Sequence, residues 1–452
     1  MTDPTRTFYA AQLPAREPRR KLAHDIDCDV CVIGGGLAGL WVARALARRG
    51  REVIVLERGR VGGGASGRNA GFVGPGYAEP LEGLIRRVGI GHARELWALS
   101  REGVEIVHRA VHGGALPHVN PVAGRLLVHR VDEERLAQRQ VELLRRQFAT
   151  PVELWDTRRV RDVLHSPEFH QALYFPDAFH LDPLALVHGL ADELERHGVR
   201  IFEDTEALSA DLAGLRKSMA ASGGRVRAHH VVLASGVPSG RVWPAVGRAV
   251  IPVSTFVGVT EPLGEKLGAA VQFPGSIADF RRAGHYFRRI GDRLMWGSGI
   301  STRVGTPAGL ERRLAREIGA TFPDLAGARI EYAWSGTMAY AAHRMPQIGL
   351  LRPGVWIAAA FGGHGLNTTA LAGELVASGL VEGDRRWELF APFGLVSFGG
   401  PIGRIGVQAS YWHMQMKDRI RETRAREAGR RAPPAGGDHP HDPHPSHTTV
   451  AS

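Results

Sequence analysis

The residues that could do chemistry first appear as spaced glycines. Gly34, Gly36 and Gly39 form a G-x-G-x-x-G pattern, with Gly35 and Ala38 inside it. The first glycine permits a tight turn, the second lets backbone approach a pyrophosphate, and the third lets a helix pack closely on a strand. Glu57 follows 23 residues after Gly34. A carboxylate at that spacing accepts hydrogen bonds from ribose hydroxyls and disfavours a 2′-phosphate. From Gly59 to Phe72 the chain reads GRVGGGASGRNAGF. A glycine-dense loop lets a large, flat cofactor lie against backbone. Ser66, Arg68 and Asn69 add donors, and Arg68 has the charge and fork geometry for a pyrophosphate; a surface ion pair is its alternative use. The fingerprint asks for an adenine dinucleotide without choosing between NAD and FAD, and the glycine-dense loop does more, by suiting a large, flat cofactor.

Such a loop works only between a strand and a helix. The apolar run DVCVI (29–33) has the length of a buried strand. In GLWVARALARRG (39–50), Leu40, Ala43 and Leu46 share a helix face and Gly50 stops it. EVIVLE (52–57) reads as a second, parallel strand. This is a β-α-β unit whose helix N-terminus offers free N–H groups and a positive dipole end to phosphate. Further along, the pattern predicts a helix over 183–198 and strands over 199–203 and 229–236, the latter carrying Ala234 and Gly236. It also predicts a hairpin over 286–299 that turns at Gly291-Asp292. A strand over 355–365 runs into a glycine loop, followed by a helix from Asn367 to Ser378.

Composition bounds the rest. The chain has 452 residues, 57 glycines and 44% hydrophobic residues, enough for a large core and too apolar for a disordered protein. Cys28 and Cys31 are its two cysteines, so a disulfide scaffold is excluded and a reducing, cytoplasmic setting is expected. They form a C-x-x-C on the first strand, where core packing is the expected use. No run of 18 apolar residues and no signal peptide are visible. The net charge of +11 raises nucleic acid as a partner. Residues 1–24 hold +3, 417–431 hold +4 and 432–452 hold −2, leaving only +6 over the body. An arginine-rich solvated surface, with no nucleic-acid partner, is therefore expected. A polar arm (1–25), an exposed helix (417–431) and a disordered Pro/Gly/His tail (432–452) flank the body. No metal site is expected, the tail histidines included.

The ordered motifs DVCVIGGGLAGL, VIVLER, GASGRNAG, VVLASG and FGGHGLNTTALAGELVA together resemble the FAD-dependent oxidoreductases of the D-amino-acid oxidase superfamily. The similarity reaches in particular its gamma-glutamylputrescine oxidase type, an amine oxidase. The resemblance implies an α/β fold with an α+β substrate domain. A Rossmann-like FAD domain would be assembled from residues 26–110, 180–245 and 335–385. A mixed-sheet substrate domain would take 111–179 and 246–334, and a helical extension 386–431. It implies an enzyme that takes hydride from an uncharged amine to flavin N5. The imine is hydrolysed to an aldehyde, and dioxygen reoxidises the flavin to give H2O2. A dehydrogenase passing electrons to a quinone or protein is the alternative. A flavin-binding assembly partner without catalysis, using the 417–431 helix, is a reading of another class.

The resemblance carries over residue by residue. Gly34, Gly35, Gly36, Ala38, Gly39, Glu57 and Arg58 would hold the ADP half. Ser66, Arg68, Asn69, Ala70 and Gly71 would run under the pyrophosphate toward the flavin. Ala207 would lie against adenine, and Ala234 and Gly236 would close the opposite side. Gly362, Gly363, His364, Gly365, Leu366 and Asn367 would face the flavin pyrimidine. Tyr286, Trp334 and His364 are the catalytic candidates. Tyr286, Arg288, Trp334 and Tyr340 are the substrate candidates, because aromatic walls suit an alkylamine. Relatives that oxidise α-amino acids place an arginine just after the Trp-x-Gly motif; here Trp334, Gly336 and Thr337 are followed by Met338. That argues against a carboxylate directly beside the reacting amine. Arg344 could serve a more distant carboxylate or form a structural ion pair. Neither cysteine lies where some relatives attach flavin, so FAD is expected to be non-covalent.

Overall fold

Around the strand Ile26–Ile33 the chain builds an eight-stranded sheet. The structure, a computed structural model, describes residues 7–114, 116–236, 242–281 and 283–431. The main path of the sheet runs Gln347–Arg352, Val355–Ala359, Gly224–Leu233, Ile26–Ile33, Val53–Leu56, Arg200–Phe202. The last five of these pair in parallel. Lys217–Ala221 and Ala207–Asp211 extend it antiparallel from Gly224–Leu233. Parallel strands are covered on both faces, which is why these segments read as continuous apolar runs. Val30 and Val32 pack toward Leu40, Leu46, Leu190 and Leu371 of the covering helices. Cys31 and Ile33 point the other way, toward Met219 and Val246.

The helix Leu37–Ala47 links the two central strands, as the apolar spacing predicts. Pro183–Arg196 and Gly365–Val381 pack beside it. The last starts two residues before the expected Asn367. The strand over 229–236 begins earlier, at Gly224, because its first half also pairs antiparallel with Lys217–Ala221. Cys28 and Cys31 are both free and buried; burial pushes the Cys28 thiol up to about 12 and Cys31 well above the ordinary range. They pack as core residues.

The second sheet has nine strands. Its main path runs Ile330–Ala341, Val250–Thr260, Arg293–Ser301, Tyr286–Ile290, Ser276–Asp279, Val122–Val128, Ala172–His180, Phe72–Val73. The expected hairpin is present, with Gly291 at φ +59 in its turn. Two stretches assigned above to the cofactor domain join this sheet instead. Phe72–Val73 pairs with Ala172–His180, and residues 335–341 pair with Val250–Thr260.

The N-terminal end of the body differs from expectation, while the C-terminal end is helical as expected. Thr7 caps a short helix, Phe8–Gln12, whose Phe8 and Tyr9 are buried beside Trp334 and Met295. The arm is therefore stapled to the second sheet rather than wholly polar. Arg19 continues the attachment through Asp192 and Glu195, at 2.7 and 2.9 Å. At the other end, Gly400–Arg431 is one helix. Tyr411 packs on Ile251 and Val253, and Glu422 pairs with Arg281 at 3.3 Å. Among the described residues no helix is long and apolar enough to cross a membrane. The histidine-rich tail lies outside the described residues.

Candidate active site

The glycine turn sits at the carboxyl end of Ile26–Ile33, where the order of the parallel strands switches: the next strand in sequence lies on one side and Gly224–Leu233 on the other. Ligands bind at such a switch point in open α/β sheets. Space there is tight. A Cβ on Gly34, at φ +119, would stand 2.8 Å from the Ser235 nitrogen, and one on Gly39 would stand 1.8 Å from the Gly34 carbonyl oxygen. Gly36 then caps the helix that starts at Leu37, and Ser66 Oγ accepts from the Leu37 N–H at 2.9 Å. Glu57 accepts from the N–H groups of Gly35 and Gly59 at 2.7 and 2.9 Å. Burial raises its carboxyl above the usual range, and those two backbone bonds oppose the rise.

A cavity of about 1940 Å³ opens from this turn. Gly34, Gly36, Ala38, Glu57, Arg58, Ser66, Asn69, Ala70, Ala207, Ala234 and Gly236 line one part. Tyr286, Tyr340, Gly362, Gly363, His364, Gly365 and Leu366 line another. The sequence candidates thus converge from stretches spread between Gly34 and Leu366. A dinucleotide fits this donor set: a carboxylate just after Val53–Leu56, a helix N-terminus, and a floor of glycines that side chains would fill.

Other candidates lie behind the wall. Gly35 and Gly39 shape the turn from below, and Gly71, at φ +81, accepts from the Leu181 N–H through its carbonyl. Arg68 does not line the cavity. It is buried, and its Nε donates to the Ser335 carbonyl at 3.0 Å. Trp334 is 1% exposed; its indole donates to the Arg68 carbonyl at 2.9 Å, and its ring meets Tyr9 edge-on. Arg288 is also buried, between His180 Nδ1 at 2.7 Å and the Leu181 carbonyl at 3.1 Å. Asn367 donates to the Gly76 and Ser100 carbonyls and packs inside. Trp334 and Arg288 are therefore struts for the loop and the second sheet, not substrate walls. Arg344 lines the cavity but is paired with Glu79.

His364 stays at the cavity. Its Nδ1 is buried with no hydrogen-bond partner among the described residues. Burial, with the Arg125 guanidinium nearby, pulls its imidazolium down to about 3, so the ring is neutral. Tyr286 donates to the Phe256 carbonyl at 3.4 Å, and burial pushes its phenol up to about 12. Sequence reasoning missed several wall residues. Gly403, Val407, Tyr411 and Met414 of the last helix line the cavity, as does Arg125 from the strand Val122–Val128.

Comparison with known proteins agrees with this geometry. Residues 29–378 match the family described as DAO, FAD dependent oxidoreductase. Gamma-glutamylputrescine oxidoreductase of Escherichia coli is 32% identical over 399 residues, covering 86% of this chain and 92% of that protein. The probable oxidoreductase OrdL of Haemophilus influenzae is 30% identical, covering 84% and 90%. In fold, the crystal structure of glycine oxidase from Geobacillus kaustophilus superposes with a TM-score of 0.68 at 24% identity, covering 82% of this chain and 98% of that one. With the glycine turn, Glu57 and the cavity all in place, the chain belongs to the DAO family of FAD-dependent oxidoreductases.

Proposed function

We propose that the chain oxidises the C–N bond of a small-molecule amine, holding FAD without a covalent link. The observation that carries this is one cavity joining the dinucleotide turn at Gly34 and Glu57 to Tyr286, Tyr340 and His364. The kinship with an amine-oxidising relative supports the donor class. Neither Cys28 nor Cys31 lines the cavity, which supports non-covalent binding. Bound FAD supplies a hydride acceptor at N5: the amine becomes an imine, water hydrolyses it to an aldehyde, and O2 takes the electrons as H2O2.

The residues set the conditions for that step. Tyr286 and Tyr340 give aromatic walls that hold an alkyl chain and admit its cation. His364 is a neutral ring facing the cavity, able to hydrogen-bond an amine but far too weak a base to take a proton from an ammonium group. The amine therefore reacts as its free base, deprotonated by solvent. The helix Gly365–Val381 starts at the cavity, and its positive end favours negative charge there.

Purified protein should be yellow, release intact FAD on denaturation, and turn over members of an amine panel. A chain that takes up no FAD sinks the proposal, as does a flavin-loaded chain that no amine reduces. Peroxide formed per amine consumed then assigns the acceptor. A yield near one supports O2; a yield near zero with rapid dye reduction supports a quinone or protein acceptor.

A further inference from the structure

The helix Gly400–Arg431 has two unlike sides. Val407, Tyr411 and Met414 line the cavity, and Glu422 pairs with Arg281. On the other side Ile402, Ile405, Ala409, Trp412, Met416 and Ile420 follow one another at steps of three or four residues. That spacing puts them in one stripe along the helix, about 27 Å long. All six are exposed; Ile402, Ile405, Trp412 and Met416 are 82, 71, 64 and 53% exposed. A scattered exposed apolar residue needs no partner, but a continuous stripe marks a surface made to be covered.

Charge says what covers it. Lys417, Arg419 and Arg424 are exposed beside the stripe. From Gly400 to Ala425 the acidic residues are Asp418 and Glu422, and both are half-buried on the side that faces the body. The open side is therefore apolar and basic. Two copies paired along the stripe would find no carboxylate beside the seam in either orientation, and their basic residues would repel. Residues 432–452 hold one Val and no Leu, Ile, Met, Phe, Tyr or Trp, so that segment has nothing with which to fill the stripe. An anionic lipid surface answers both features. The apolar stripe enters the boundary between headgroups and acyl chains, where Trp412 is at home, and the basic flanks meet lipid phosphates.

We infer that this side of the last helix docks on an anionic membrane surface, with the helix lying in the plane of the interface. Among the described residues no helix crosses a bilayer, so the attachment is peripheral. The cavity then lies behind the thickness of one helix, about 10 Å, from the lipid. The inference goes beyond the oxidation of an amine and does not depend on it.

The test is co-sedimentation of the full chain with vesicles of phosphatidylcholine, alone or with a third of phosphatidylglycerol. Wild type should pellet with the anionic vesicles and stay in solution with the neutral ones. Raising salt from about 0.1 M to about 1 M shortens the Debye length from about 10 to about 3 Å and should release it. Ile405→Asn with Trp412→Asn should weaken binding about tenfold or more at unchanged net charge. Lys417→Gln with Arg419→Gln should do the same by removing two basic groups. None of the four residues lines the cavity, so amine turnover in solution and melting temperature should hold in both variants. Wild type that pellets with neither vesicle overturns the inference, as does equal binding to both compositions. A dimer by light scattering that Ile405→Asn with Trp412→Asn dissociates assigns the stripe to a second copy and overturns it as well. Should that pair fail to fold, the Lys417 and Arg419 pair decides: undiminished binding to anionic vesicles overturns, and weakened binding supports.

Discussion

The indole N–H of Trp334 donates to the backbone carbonyl of Arg68 across 2.9 Å, and the Arg68 Nε returns a bond to the Ser335 carbonyl at 3.0 Å. This reciprocal pair ties an edge strand of the second sheet to the glycine-dense loop. Trp334→Phe removes the donor and part of a buried ring. It should cost about 1–3 kcal/mol of stability. Because the ring does not reach the cavity, turnover at saturating amine should stay within a factor of about three. Thermal melts and steady-state rates on the loaded variant check both.

The glycines of the turn should not be equivalent. A Cβ on Gly39 would overlap the Gly34 carbonyl at 1.8 Å, which is backbone and cannot move aside. One on Gly36 would meet Ser66 Oγ at 2.8 Å, the end of a side chain. Gly39→Ala should abolish FAD retention together with folding. Gly36→Ala should fold, lose the Ser66 bond to Leu37, and bind FAD about tenfold more weakly. Flavin titration of the apo-proteins separates the two.

Acid should destabilise the protein through histidines that are neutral when folded. His180 accepts from Arg288 at Nδ1, so its Nε2 carries the proton and donates to the Pro274 carbonyl at 3.1 Å. Burial, then the Arg288 charge, pulls it down to about 3; His364 falls to about 3 as well. Unfolded histidine titrates near 6.5. Between these values the unfolded chain binds more protons, so stability is complete above about pH 6.5 and lost progressively as pH falls toward 3. His364→Asn should flatten that slope, as melting temperature against pH will show. The same neutrality means kcat/KM should rise with pH along the substrate ammonium titration, without an inflection from His364.

The last helix walls the cavity and packs on the second sheet. A chain ending at Ser397 should keep its flavin and its flavin spectrum. Its KM for the amine should rise several-fold, about 1 kcal/mol of lost binding, because Val407, Tyr411 and Met414 no longer wall the cavity. Equal KM values would mean these side chains do not face substrate.

The centre of the fold was legible because fully buried strands and a glycine turn leave an unambiguous local pattern. The second sheet was less so: Val250–Thr260 gains its meaning only from partners dozens of residues away. The long helix Leu81–His112 is broken by Gly89 at φ +77, which hides its period. In the site, motif positions told which backbone would be near the cofactor, but not which way side chains point. Arg68, Trp334 and Arg288 therefore turn inward while their neighbours line the cavity. The arm concealed Phe8 and Tyr9 beneath a basic average. Arg125 sits in PVAGRLLV, where nothing in the sequence marks it; only its place on the cavity wall does.

The order of strands in the first sheet has a consequence for how the protein is made. Ile26–Ile33 is synthesised early, but one neighbour arrives with Gly224–Leu233 and the next with Val355–Ala359. A nascent chain therefore carries the whole glycine turn long before the wall that faces it exists. Pairings this distant slow folding, and a ligand that contacts all three segments rewards only the finished arrangement. Cells short of riboflavin should accumulate this protein as a slow, protease-sensitive late intermediate rather than as a stable empty enzyme.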